Sequence, residues 1–176
     1  MGLKMGDSAP EFRLKGIDGK LHSLVDVRGQ KITVVAFTCN HCPYVRAYED
    51  RLIAIQRDYY PKGVRFAAIN ANDDEKYPDD SFEKMIQRAE QKGYNFPYLR
   101  DESQEAARAY GSQRTPEVFV FDHSLKLLYH GAVDDNWEHP ERVTRNHLRE
   151  ALDAVIHGQE PAITETQPVG CSIKWK

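Results

Sequence analysis

The chain is short of several features that would sort it quickly. It has only three cysteines in 176 residues, whereas a disulfide framework packs more cysteines into a shorter, secreted chain. No run approaches the roughly 18 apolar residues of a membrane span. The opening Met1-Gly-Leu-Lys-Met5 lacks the apolar stretch of a secretory leader. Gly6 stands where an N-myristoylation pattern needs Ser or Thr. The 24 basic and 27 acidic residues are well mixed, for a formal charge of -3. There is therefore no basic stripe for nucleic acid and no acidic tail for a basic partner. Repeats, low-complexity tracts and linkers are absent too. The expectation is a soluble cytoplasmic chain that binds neither nucleic acid nor membrane.

At 40% hydrophobic the chain holds enough apolar surface for one core without covalent staples. A single domain over 1–176 is expected, with a core over about 5–158 and a tail over 159–176. Two short strands flank Gly16-Ile-Asp-Gly19 as an N-terminal hairpin. Residues 31–37 form a β-branched apolar run, the mark of a buried strand. Val45, Tyr48, Leu52, Ile55 and Tyr59 then recur at helical spacing until Pro61 and Gly63 stop them. Residues 64–70 read as a second buried strand and 71–79 as a loop. Asp80 or Ser81 caps a helix that Gly93 ends. A short segment near 96–99, a brief helix near 104–110 and a hairpin of strands 117–121 and 126–130 follow. A last helix carries Leu148, Leu152, Val155 and Ile156 on one face and closes at Gly158. This alternation predicts an α/β fold, a central mixed sheet covered by helices on both faces, with the N-terminal hairpin as an extension.

The chemistry concentrates where the first buried strand opens into the first long helix, in Thr38-Cys-Asn-His-Cys-Pro43. Disulfide exchange requires a reachable thiolate. At a helix N-terminus the unpaired N–H groups and the positive end of the helix dipole stabilise one. The reading assigns that place to Cys39, with Cys42 about one turn later. Pro43 suits a first helical turn. His41, between the cysteines, would add positive charge near the Cys39 thiolate. Far along the chain, Arg114-Thr-Pro116 precedes a strand, a position where proline is tolerated and cis peptides occur. Placed beside the cysteines, that turn would offer backbone groups to an incoming peptide or thiol.

The strand, the Cys-x-x-Cys turn, Thr115-Pro116 and the closing hairpin and helix together resemble the thioredoxin fold. Gly6-Asp-Ser-Ala-Pro-Glu-Phe12 resembles the start of the alkyl hydroperoxide reductase/thiol-specific antioxidant superfamily. Thr38-Cys-Asn-His-Cys-Pro-Tyr-Val45, Asn70-Ala-Asn-Asp73 and Gly170-Cys-Ser-Ile-Lys-Trp175 are similar to its peroxiredoxin-like, thiol-disulfide-isomerase-like subfamily. The resemblance implies a cis Pro116 and a redox-active pair. It also shows departures. The Thr or Ser that peroxiredoxins carry three residues before the peroxidatic cysteine is here Cys39. Their late arginine position is Pro116, with Arg114 nearby. Thioredoxin's buried Asp, six residues before the first cysteine, is here Thr33. Asp73, Asp74 and Glu75 are candidates for the missing base.

The expected activity is thiol–disulfide oxidoreductase or isomerase, with Cys39 attacking and Cys42 resolving. Thr115, Pro116 and Trp137 would contact substrate, and Cys171 would be an auxiliary thiol. The partners would be a disulfide-containing protein or small thiol substrate and an external thiol reductant. No cofactor and no metal are expected, and the chain would be a monomer or homodimer. Two alternatives stay open. One is a thiol-dependent, peroxiredoxin-like antioxidant peroxidase. The other is a thiolate metal carrier completed by Cys171 or by His22, His123 or His130.

Overall fold

Side chains alternate between opposite faces along each apolar strand, and this alternation builds two separate cores around one sheet. A computed structural model describes residues 2–176. The chain begins with the hairpin β1 (Arg13–Gly16) and β2 (Leu21–Ser23), then a single helical turn, α1 (Leu24–Val27). The first βαβ unit follows as β3 (Ile32–Thr38), α2 (Pro43–Tyr59) and β4 (Val64–Asn70). Next come α3 (Phe82–Lys92), β5 (Tyr98–Arg100), α4 (Glu105–Tyr110) and the two-residue β6 (Arg114–Thr115). The chain closes with β7 (Glu117–Phe121), β8 (Leu127–Gly131), α5 (His147–Ile156) and β9 (Cys171–Ser172).

Seven strands form one mixed sheet in the order β2-β1-β5-β4-β3-β7-β8. The pairs β3/β4 and β4/β5 are parallel, and the others are antiparallel. Along β3, Ile32, Val34 and Ala36 join a core with α2, α3 and α5. Val35 and Phe37 face the opposite core, with α1, α4 and Ile173 of the tail. Both cores exclude water from a near-continuous apolar run, as a central strand of a parallel pair requires. This is the α/β architecture that the resemblance implies.

Two features differ from the sequence reading. The N-terminal hairpin is not an appendage, because Lys15 and Gly16 pair with Arg100 and Leu99 and make β1 an integral strand of the sheet. Leu24 leaves the strand for α1 because Ser23 and Asp26 form a reciprocal capping box there. Of the two expected caps of α3, Ser81 is the one used, its hydroxyl accepting from the Lys84 N–H. The stop after α2 is as expected: the chain tightens over Tyr60–Lys62 and turns at Gly63, whose φ of 87° favours glycine. Among the described residues no helix is long and apolar enough to cross a membrane.

The core of α2 is what fixes the start of the helix against the sheet. Leu52 is 3% exposed in that core, while Leu21 on the hairpin is 55% exposed. Leu52→Ala should therefore lower the unfolding free energy by about 2–5 kcal/mol in urea titrations. Leu21→Ala should change it by less than about 0.5 kcal/mol.

Candidate functional site

Strand β3 ends at Thr38, and Cys39 to Cys42 are neither strand nor helix before α2 begins at Pro43. Pro43 explains this boundary. It fits the first helical position, where its missing N–H is not needed, and it pushes the preceding residue toward extended geometry. Cys42 accordingly has φ -62° and ψ 130° and is the N-cap of α2. The expected place of Cys39 at the helix N-terminus is thus corrected. Cys42 holds it, and Cys39 lies one step back, at the end of the strand.

The electrostatics follow the geometry. The Cys42 thiol is pushed down to about 4, chiefly by the hydrogen bond that the Cys39 thiol, keeping its proton, donates to the Cys42 sulfur. Burial opposes this. The Cys171 thiol and the nearby N–H groups of Val45 and Cys171 assist it. Cys39 is held well above the ordinary thiol range by its contact with Cys42, by burial and by the charge of Asp80, against the Thr115 hydroxyl. The two sulfurs therefore titrate as one unit that readily loses a first proton and keeps the second. Both are buried, Cys39 at 1% and Cys42 at 3% exposed.

The loop between the cysteines is clamped through Asn40. Its N–H donates to Asp80 Oδ1 at 2.8 Å, its Nδ2 to the Asp79 carbonyl at 2.8 Å, and its Oδ1 accepts from the Tyr98 hydroxyl at 2.7 Å. Asp80 is fully buried and also accepts from Asn72 Nδ2 at 2.9 Å. Such a carboxylate persists in the interior because donors surround it. Neither Asn40 nor Asp80 was singled out as a site residue from sequence. The signal was Asn70-Ala-Asn72, whose side chains turn toward Asp80 from the end of β4.

The remaining expected site residues separate into two groups. Thr115 and Cys171 do meet the cysteines, and Pro116 adjoins them as the residue after Thr115. The Thr115–Pro116 peptide is cis, the Thr115 hydroxyl lies 3.6 Å from Cys39 Sγ, and the Thr115 carbonyl lies 3.7 Å from Cys42 Sγ. Glu117 secures this turn by accepting from the N–H groups of Gln113 and Arg114 and by pairing with His130. Cys171 Sγ is 2.7 Å from Cys42 Sγ. Trp137 reaches the site at one remove, its ring tilted at 54° against Tyr44 with centroids 4.4 Å apart, and Tyr44 packs on the cysteine cluster.

His41 and Asp73 belong elsewhere. His41 Nδ1 lies 3.3 Å from Asp80 Oδ2 without a hydrogen bond to it, so the charged group beside it is the buried carboxylate. The reason is the Asn40–Asp80 bond, which brings the loop onto that acid. Asp73 holds the Glu75 N–H and, through its own N–H, the Lys174 carbonyl. The acid whose charge acts on Cys39 is instead Asp80. Thr33, in the place of thioredoxin's buried acid, accepts from the Gly29 N–H at 2.8 Å, a local role in the turn before β3. Among the described residues no three His, Cys, Asp or Glu side chains are grouped to hold a metal ion.

Comparison with known proteins places these features in context. A family model described as Redoxin matches residues 4–151. The thiol-disulfide oxidoreductase ResA of Geobacillus thermodenitrificans is 30% identical over 125 residues, 70% of this chain and 66% of that protein. The chain thus spans slightly under two thirds of that relative. The crystal structure of an uncharacterized conserved protein from Geobacillus kaustophilus superposes with a TM-score of 0.94 at 45% identity, covering 98% of this chain and 93% of the other. A putative thioredoxin from Neisseria meningitidis shares the fold, with a TM-score of 0.65 at 23% identity, covering 86% and 92%. The fold is thioredoxin-like.

The assignment of the thiolate has a direct kinetic consequence. A lowered thiol pKa leaves the nucleophile ionised above that value and loses it as pH falls through it. The rate at which Cys42 reacts with a small disulfide should stay nearly flat between about pH 8 and pH 5 and drop only near pH 4. A tenfold fall per pH unit across that range, measured by stopped-flow mixing, would contradict the assignment.

Proposed function

The chain belongs to the redoxin family, and on that premise we propose that it is a thiol–disulfide oxidoreductase whose nucleophile is Cys42. The observation that carries this reading is the position of Cys42 as N-cap of α2, with the thiols of Cys39 and Cys171 turned toward its sulfur. The name of the ResA relative supports the same class of activity. This order of attack is the reverse of the Cys39-first order expected from the sequence, and it follows from giving the thiolate to the cysteine that caps the helix.

The steps follow from the shared proton. Cys42 thiolate attacks one sulfur of a substrate disulfide, forming a mixed disulfide and expelling the other sulfur as a thiolate. That thiolate takes up the proton held by Cys39. Cys39 thiolate then attacks Cys42 Sγ, releases the remaining substrate sulfur and closes a Cys39–Cys42 disulfide. An external dithiol returns the pair to the reduced form. The hydrogen bond to Cys42, burial and then Asp80 disfavour a charge on Cys39, and the first of these is lost once Cys42 is in the mixed disulfide. The Thr115 hydroxyl eases that ionisation.

Peroxide chemistry has less support. It needs a cation beside the reacting oxygen, and Arg114, the arginine nearest in sequence to the Thr115–Pro116 turn, is exposed and pairs its backbone with β9.

Turnover of oxidised glutathione by a dithiol reductant tests the proposal. Cys42→Ser should fall to the uncatalysed rate, while Asp73→Asn should keep turnover within about twofold. Full activity in Cys42→Ser, with loss in Cys39→Ser alone, would reverse the roles.

A further inference from the structure

We propose that the C-terminal tail is a built-in peptide occupant of this site and that Cys171 is a second resolving thiol for Cys42, an inference that rests on the exchange chemistry above. The tail adds β9 to β6 as an antiparallel strand, with Cys171 opposite Thr115 and Ser172 opposite Arg114. Thr115 is the residue whose hydroxyl and carbonyl approach the two cysteine sulfurs. The pairing therefore delivers a third sulfur to the same point, 2.7 Å from Cys42 Sγ. A disulfide bond is about 2.0 Å long, so the two sulfurs need to close by less than about 1 Å.

Cys171 does not sit on a loose end. Ile173 is buried in the core beside α4, and its N–H donates to the Gln113 carbonyl at 3.0 Å. Lys174 donates its N–H to Asn72 Oδ1 at 2.9 Å and accepts at its carbonyl from the Asp73 N–H and Gln104 Nε2. Gly170 permits the approach, because a Cβ there would lie 2.0 Å from the Thr115 carbonyl oxygen. A thiol held beside its target by the paired strand reacts as an intramolecular group, without the entropy loss of a second encounter.

The chemistry balances with a low-molecular-weight disulfide as oxidant. Cys42 thiolate attacks the disulfide, and the departing thiolate takes the Cys171 proton. Cys171 thiolate then attacks Cys42 Sγ and expels the second small thiolate, which takes a proton from solvent. Two protein sulfurs are oxidised and one disulfide is reduced to two thiols. The product differs from a Cys39–Cys42 bond in one useful way. Cys171 is partly exposed while Cys39 is buried, so the Cys42–Cys171 disulfide presents a sulfur to an external reductant. The same strand covers the free edge of β6, which favours small disulfides over extended polypeptides as substrates of the docked form.

The test uses the full chain, oxidised glutathione, rapid acid quench, alkylation and peptide mapping by mass spectrometry. Cys39→Ser should pass quickly through a glutathione adduct to a Cys42–Cys171 linked peptide. Cys39→Ser combined with Cys171→Ser should hold the adduct on Cys42. Gly170→Val in the Cys39→Ser background keeps all the reacting sulfurs but forces β9 off β6, and should lengthen the adduct's lifetime by about tenfold or more. An adduct that lasts as long in Cys39→Ser as in the double variant would overturn the role of Cys171 alone. No adduct on Cys42 in any variant would overturn the exchange reading, and this inference with it.

Discussion

A helix that starts directly after a buried strand leaves unpaired N–H groups at the sheet's end, and where it starts decides which sulfur they serve. In this chain Pro43 makes that decision. It belongs in the first turn and imposes extended geometry on the residue before it. Cys42 becomes the N-cap and carries the charge. Cys39, still on the strand side, becomes the proton holder. Had the helix begun one turn earlier, the roles would exchange with no change in composition.

Everything around the pair keeps that arrangement rigid. Asn40 ties the intervening loop to Asp80 and Tyr98, and Asn72 reaches Asp80 from the end of the neighbouring strand. Glu117 ties down the turn that presents Thr115. The tail lies on that turn and is anchored in the second core by Ile173. A dithiol that keeps one proton between two sulfurs needs this kind of fixed surrounding. The relative stability of its charged forms depends on distances of a few tenths of an ångström.

Much of the fold was legible because apolar runs and helical spacing are strong signals. The strand at 64–70 and the stop at Pro61 and Gly63 lie where periodicity and turn chemistry put them. Features set by contacts remote in sequence were less visible. The insertion of β1 beside β5 and the pairing of β9 with β6 involve two or three residues each, too few to leave a periodic trace. At the site, the Cys-x-x-Cys motif and Thr115-Pro116 were found from local pattern. Which of the two caps the helix was not, because it depends on where the helix begins to within a turn. Asp80 read as one of two alternative helix caps, with Ser81, because nothing in its neighbours shows that it is buried under Asn40. His41 was credited with a charge for Cys39 on proximity alone, whereas its Nδ1 lies 3.3 Å from Asp80 Oδ2.

The central claim is that the ionised sulfur belongs to Cys42. A site-resolved NMR titration of the cysteine Cβ resonances in the reduced chain measures this without relying on access to a reagent. The account predicts that Cys42 ionises far below the ordinary thiol range, while Cys39 and Cys171 stay protonated into alkaline solution. If Cys39 ionises first and Cys42 keeps the proton, the helix start does not govern the chemistry and the account is contradicted.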